Sequence, residues 1–270
     1  MIPETVASNG LVLLGCGKMG SAMLEGWLKN DFPLSSVWIL DPFPSERVQE
    51  LAGLGLNLNV ELPVNPAICI IAVKPQMMGD ALPQLISCGG GSTIYLSIAA
   101  GTPIAKFEDV LGAERAIIRA MPNTPAAIGM GITALIGNSN VTTGMMQTAE
   151  ALLSAVGQTV LLDSEDQMDA VTALSGSGPA YVFHLVETMA AAGIAQGLST
   201  ELAFQLAKAT VAGAGVLAEQ ADEDPAQLRV NVTSPGGTTA AALAVLMNEL
   251  PDLMNRAIGA ATARSKELQK

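Results

Sequence analysis

A glycine pattern near the start of the chain constrains its fold more than any other feature. Gly15, Gly17 and Gly20 stand in GCGKMG, directly after the apolar run Leu11 to Leu14 and ahead of Met19, Met23 and Trp27, which recur every four residues. That spacing predicts a strand that turns into a helix. At such a junction the first glycine permits the tight turn, the second lets a pyrophosphate approach the backbone, and the third lets helix and strand pack closely. Phosphate then sits on the helix N-terminus, where free NH groups and the dipole favour an anion. A glycine-rich turn alone is a weak signal, but strand and helix on either side make Gly15, Cys16, Gly17, Lys18, Met19 and Gly20 a dinucleotide site.

The alternation continues along the chain. Val37 to Leu40, Ile68 to Val73, Thr93 to Ile98, Ala116 to Ala120 and Gln158 to Leu162 read as further strands, apolar enough to be buried on both faces as parallel strands are. Val48 to Leu54 and Ile104 to Leu111 carry helical spacing, and Thr102 before Pro103 predicts a helix start with a capping hydroxyl. Repeated βαβ units make a doubly wound α/β sheet. After about Leu162 the texture changes, and Met168 to Leu174, Ala180 to Ala192, Thr200 to Gln220, Thr239 to Leu250 and Leu253 to Leu268 read as helices. The expected division is 1–163 for the sheet domain and 164–270 for an all-helical domain. The helix from Thr200 carries Ala and Gly on several faces at once, which points to packing against a partner.

Composition excludes several functions. Half the residues are apolar and 14% are charged, with a net charge of −12 that repels nucleic acid and anionic lipid. No apolar stretch is long and unbroken enough to span a bilayer. Cys16, Cys69 and Cys88 form no CxxC pair and no metal-type spacing. Reduced thiols, no bound metal, no visible signal peptide and a cytoplasmic location are the expectations.

Asp41 closes the second strand, 21 positions after Gly20, where a carboxylate hydrogen-bonds an adenine ribose hydroxyl and repels a 2′-phosphate. An acidic turn residue before Pro42 is the plainer alternative, and Pro44, Ser45 and Arg47 are able to build a phosphate pocket instead. Lys74, in the AVKP of Ala72, Val73, Lys74 and Pro75, lies on the rim where a doubly wound sheet binds its ligand. His184, the only histidine, sits in the apolar run YVFHLVETM and reads as a core or interface residue rather than a catalyst. The loops MPNTP (Met121 to Pro125), SGSGP (Ser175 to Pro179) and SPGGTT (Ser234 to Thr239) each lead into an apolar run. Helix capping explains them, yet Gly236, Gly237, Thr238 and Thr239 ahead of AAALAVLM also form a receptor for a carboxylate.

Taken in order and spacing, GCGKMG, AVKP, SIAAG, RAMPNTP, LSGSGPAY and NVTSPGGTT resemble the pyrroline-5-carboxylate reductases over essentially the whole chain. The resemblance implies an N-terminal Rossmann dinucleotide-binding domain, a C-terminal helical dimerisation domain, and the last step of proline biosynthesis. It implies coenzyme contacts, NADPH or NADH, at GCGKMG, Ala72 to Pro75 and Asn231. It also implies substrate contacts at Ser234, Gly236, Gly237, Thr238 and Thr239, with Glu165 and Asp222 contributing, and assembly as a homodimer or as several dimers. Lys18 stands where many members carry Asn, and Asp41 where many carry Ser, Thr or Arg.

The residues suit that chemistry on their own terms. A protonated cyclic imine accepts hydride without a strong protein acid, so the lack of a histidine catalyst is no obstacle. The Thr239 hydroxyl is placed to hydrogen-bond the ring nitrogen while backbone NH groups hold the carboxylate. A β-hydroxyacid dehydrogenase would need a general base, for which Lys208 is the one lysine between Lys106 and Lys266. A dinucleotide sensor or scaffold would keep GCGKMG but leave SPGGTT and SGSGP without a purpose.

Overall fold

The computed structural model describes residues 2–269. A short helix, α1 (Glu4–Asn9), precedes β1 (Leu11–Leu14), and α2 (Lys18–Lys29) carries the chain to β2 (Val37–Leu40). Next come α3 (Glu46–Gly53), β3 (Asn57–Leu58), β4 (Ile68–Ile71), a turn of helix α4 (Met78–Ala81) and β5 (Ile94–Ser97). Then α5 (Ile104–Leu111), β6 (Ala116–Met121), β7 (Gly131–Gly137), α6 (Thr143–Leu153) and β8 (Gly157–Leu161) complete the sheet, whose strand order is β3-β2-β1-β4-β5-β6-β7-β8. Strands β1 to β6 run parallel, while β7 pairs antiparallel with β6 and parallel with β8.

Alternation along each strand divides the core. Leu11, Leu13, Ile39, Ile68, Ile70 and Leu96 face one side, against Met23, Leu24 and Trp27 of α2 and Leu152 of α6. Val12, Leu14, Cys69, Ile71 and Tyr95 face the other, against Leu82, Leu85 and the α5 residues Ile104, Phe107 and Leu111. Both faces of the central strands are covered, as crossover helices require. Trp27 satisfies its indole by donating to Leu152 O at 2.9 Å, which ties α2 to α6 inside the apolar layer.

The second part is helical: α7 (Met168–Val171), a π turn over Thr172–Gly176, α8 (Gly178–Ala195), α9 (Thr200–Gln220), α10 (Pro225–Asn231) and α11 (Thr238–Leu268). By packing the chain divides into Met1–Gly176 with Ala261–Lys270, and Ser177–Ala260. Residues 164–176, expected with the helical domain, therefore pack with the sheet. Within the second unit, Ala190 of α8 and Ala203 and Ala207 of α9 bury one another, while Phe183, Leu206, Leu217, Val245 and Met247 are exposed on this single chain. His184 is exposed too, paired with Glu187 at 3.2 Å, so it is not a core residue of its own chain.

Four sequence expectations are corrected. The strand Gly131–Gly137 was not foreseen because GITALIG mixes glycine and polar residues into a short apolar run. Edge strand β8 is half exposed rather than buried on both faces. Thr102 does not cap α5: Pro103 holds the cap position with no side-chain bond, and the Ile104 NH donates instead to Glu165 Oε1 at 2.9 Å. The two helices foreseen around Pro251 are one 31-residue helix, which forgoes one backbone bond at the proline and continues. No helix among the described residues is long and apolar enough to cross a membrane.

Candidate active site

The chain turns back at β1: β2 and β3 lie to one side of it, β4 onward to the other. That reversal opens a crevice at the carboxyl ends of β1 and β4, where open α/β sheets bind their ligands. GCGKMG sits there, and its three glycines are needed for three different reasons. Gly15 has φ +85°, and a Cβ on it would lie 2.8 Å from Val73 Cγ1 and 3.1 Å from Ala72 O. A Cβ on Gly20 would lie 2.7 Å from Gly15 O, so helix and loop touch backbone to backbone. Gly17, the cap residue of α2, has no atom within 4 Å of a Cβ built on it. Its missing side chain leaves the approach to the helix open.

The Ser21 NH closes onto Gly17 O at 2.8 Å, so the NH groups of Lys18, Met19 and Gly20 precede the first intrahelical bond. Those donors and the dipole form an anion receptor that fits the pyrophosphate of a dinucleotide. Lys18 begins the helix and is exposed; Met19 packs partly on the core. The Cys16 thiol is pushed up by burial and by the neighbouring Asp41 charge, so it stays protonated at neutral pH. Ala72 and Val73 follow β4 beside Gly15, and Lys74 caps the turn at Pro75–Met77 with its side chain in solvent.

Asp41 is bound into the loop rather than standing free at the strand end. Its Oδ2 accepts from Cys16 N at 2.7 Å and its Oδ1 from Phe43 N at 2.8 Å. Asn59 fixes the backbone there, accepting from Asp41 N at 3.0 Å and donating to Asp41 O at 2.8 Å. A cavity of about 400 Å³ opens beside this carboxylate, between the ends of β1 and β2 and the segment after β4.

Arg119 on β6 is 2% exposed, and its Nη1 donates to Glu165 Oε1 at 2.7 Å. The same oxygen accepts from Ile104 N, so one carboxylate neutralises a buried guanidinium and caps α5. Arg119 Nη2 is buried without a hydrogen-bond partner among the described residues. Just beyond, Asn123 of MPNTP accepts from Ile132 N at 3.0 Å and donates to Ser175 Oγ of SGSGP at 3.3 Å. Arg119 has no role in the sequence reading, although a lone arginine inside the apolar strand AIIRAM demands a buried acceptor and is the signal that was available. Asp169 likewise has none; it accepts from Ser265 at 2.6 Å and from Gln269 at 2.7 Å and ties the end of α11 to α7.

In the second unit, Ser234 O accepts from Gly237 N at 3.1 Å, Gly236 takes φ +69°, and the chain enters α11 at Thr238. Ala241 N bonds Gly237 O at 3.2 Å, leaving the NH groups of Thr238, Thr239 and Ala240 ahead of the intrahelical ladder. Ser234, Gly236 and Thr238 are exposed; Gly237 and Thr239 are half-buried. Asp222 is exposed between α9 and α10, and Asn231, at the end of α10, accepts from Gln227 at 2.8 Å. Lys208 is exposed, on a groove lined by Val182, Phe183, Glu187, Phe204 and Val211.

Residues 165–268 match the family model for pyrroline-5-carboxylate reductase dimerisation, and residues 11–101 match that for NADP oxidoreductase, coenzyme F420-dependent. The pyrroline-5-carboxylate reductase of Pseudomonas aeruginosa is 37% identical over 262 residues, 96% of each chain. The chain belongs to the pyrroline-5-carboxylate reductase family. Among solved structures, the reductase of Coxiella burnetii is 32% identical with a TM-score of 0.90, covering 97% of this chain and 99% of its own. The Plasmodium falciparum pyrroline carboxylate reductase, solved with NADP bound, is 30% identical with a TM-score of 0.82, covering 98% and 100%. The family's dimerisation segment begins at residue 165, whereas packing divides the chain at Gly176. The intervening residues are held to the sheet by the Glu165–Arg119 and Asn123–Ser175 bonds.

Proposed function

We propose that this chain reduces 1-pyrroline-5-carboxylate to proline, the closing step of proline biosynthesis, with NADH or NADPH as hydride donor. The observation that carries the proposal is the Ser234–Thr239 turn at the start of α11. It is a helix start built for a small carboxylate, in a chain whose first unit is built for a dinucleotide. When bound, the dinucleotide supplies the hydride.

In this scheme GCGKMG, Ala72 to Pro75 and Asn231 hold the coenzyme. The NH groups of Thr238 and Thr239 fix the carboxylate, with Gly236 and Gly237 shaping the turn and Ser234 and Asp222 at its margin. The Thr239 hydroxyl accepts from the iminium NH before transfer and keeps that bond as the ring nitrogen becomes an amine, so it orients the carbon that receives hydride. Imine, NAD(P)H and one proton give proline and NAD(P)⁺, and no side chain has to ionise during the step. Glu165, whose carboxylate is taken up by Arg119 and the Ile104 NH, acts by holding the frame rather than by touching substrate. The exposed apolar faces of α8, α9 and α11 and the matched dimerisation segment support a homodimer formed through these helices. The Cys69 and Cys88 thiols, hydrogen-bonded at 3.9 Å rather than joined in a disulfide, suit a reducing cytoplasm.

The test is coenzyme oxidation followed with 1-pyrroline-5-carboxylate and, in reverse, with a 3-hydroxy acid. Turnover of the imine is the expected result, and turnover of the hydroxy acid alone would overturn the proposal.

A further inference from the structure

We infer that this chain selects the coenzyme without a 2′-phosphate, through Asp41 and Asp80 in the crevice and the engagement of Arg47 by Glu25. The inference rests on the dinucleotide site of the proposed function and goes beyond it, because it fixes which coenzyme that site takes.

The cavity beside GCGKMG is bordered by Leu40, Asp41, Pro42, Asn59, Gln76 and Asp80; two of its lining residues are acidic and none is basic. Asp41 cannot swing aside to admit an anion, because Cys16 N and Phe43 N each hold one of its oxygens and Asn59 pins its backbone. A carboxylate has about four lone-pair sites, so two bonds still leave room to accept from ribose hydroxyls. A hydroxyl there gains a charge-assisted bond, whereas a phosphate meets a fixed negative charge in a cavity that a second carboxylate, Asp80, also lines.

The segment after β2 holds one candidate cation for a 2′-phosphate. Arg47 donates from Nε to Glu25 Oε1 at 2.8 Å, and its Nη1 lies 3.5 Å from Glu50 Oε2. Two carboxylates therefore meet the guanidinium's charge. Both pairs are exposed and weak, so removing Glu25 should loosen Arg47, leaving it only Glu50 as a partner, without unfolding the chain. Lys18 begins α2, whose N-terminus is the receptor for the pyrophosphate common to both coenzymes, so it gives no discrimination between them.

Isothermal titration of the full-length protein with NAD⁺, NADP⁺, ADP and adenosine 2′,5′-bisphosphate reads the selection directly, and kcat/KM for NADH and NADPH reads it again in turnover. The wild type should bind NAD⁺ at least roughly 10-fold more tightly than NADP⁺. Asp41→Ser should shift that ratio toward NADP⁺ by roughly 10- to 100-fold, and Asp80→Asn by a few-fold. Adding Glu25→Gln to Asp41→Ser should shift it a few-fold further as the hold on Arg47 weakens. Asp41→Ser also frees the Cys16 NH and weakens both coenzymes, so the ratio is the quantity that counts. Asp80→Asn leaves that loop untouched and keeps the test sharp if Asp41→Ser folds poorly. Wild-type protein that binds NADP⁺ as tightly as NAD⁺, or a ratio unmoved by all three changes, would overturn the inference. NAD⁺-selective binding with no turnover of the imine would leave it standing and remove the proposed reaction instead.

Discussion

Replacing Glu165 by Ala separates a structural role for this carboxylate from a substrate contact. In the wild type its Oε1 accepts from Arg119 Nη1 at 2.7 Å and from Ile104 N at 2.9 Å. The Arg119 side chain is 3% exposed and the Glu165 side chain 32%. Removing one partner of a buried ion pair costs about 3–5 kcal/mol. Water can partly reach the vacated carboxylate position, which puts the loss at the lower end. Losing the acceptor for Ile104 N adds about 1 kcal/mol, as for other helix caps. The sum is about 3–4 kcal/mol, or a Tm lower by roughly 6–15 °C for a chain of this size. Glu165→Gln keeps an oxygen for both donors but removes the charge, so its drop should be about half as large. Scanning calorimetry on wild type and both variants, with KM for pyrroline-5-carboxylate measured on each, decides the matter. A Glu165→Ala protein that melts within about 2 °C of wild type while its KM rises would refute the structural role and return Glu165 to the substrate site.

Three further outcomes follow from the same structure. Gly157→Ala drives a Cβ into Gly131 O at a residue with φ +144°, so the β7–β8 edge must move; a loss of about 3 kcal/mol or more is expected in denaturant melts, and a wild-type midpoint would contradict it. Burial pushes the Tyr95 phenol up to about 12. Between its usual value of about 10 and that figure the unfolded chain has lost the proton and the folded one has not, so stability falls by about 1.4 kcal/mol per pH unit as pH rises. Tyr95→Phe should flatten that alkaline slope, and urea melts from about pH 9 to 12 would show it. Thr239→Val keeps the shape at the start of α11 and removes the hydroxyl; kcat/KM should fall roughly 10- to 100-fold with kcat affected, about 1.5–3 kcal/mol. A change confined to KM would make Thr239 a carboxylate clamp only.

Local rules carried the sequence far through the first unit. GCGKMG between LVLL and a four-residue repeat names strand, turn and helix at once, and the three glycines meet the contacts that spacing implies. Thr200–Gln220 matches the sequence reading end to end, and the structure shows Ser199 capping it, accepting from Leu202 N. Reading failed where a distant residue decides. The α5 start looked like a Thr-Pro cap, but its acceptor comes from Glu165, 61 positions away. Pro251 looked like a helix end, yet α11 runs through it, since one lost bond does not outweigh the flanking turns. Asp41 was placed correctly at the end of β2, but its bond to Cys16 N, 25 positions earlier, depends on β1 and β2 lying side by side. Strand β7 was missed because GITALIG is too mixed to stand out, and it becomes a strand only by pairing with β6.

The most direct test of the proposed function follows the hydride itself. The full-length protein is incubated with 1-pyrroline-5-carboxylate and NADH carrying deuterium at both C4 positions of the nicotinamide, and the product is examined by mass spectrometry. Proline heavier by one deuterium, located on the former imine carbon, is the predicted result. Absence of proline, or proline without the label, would contradict it.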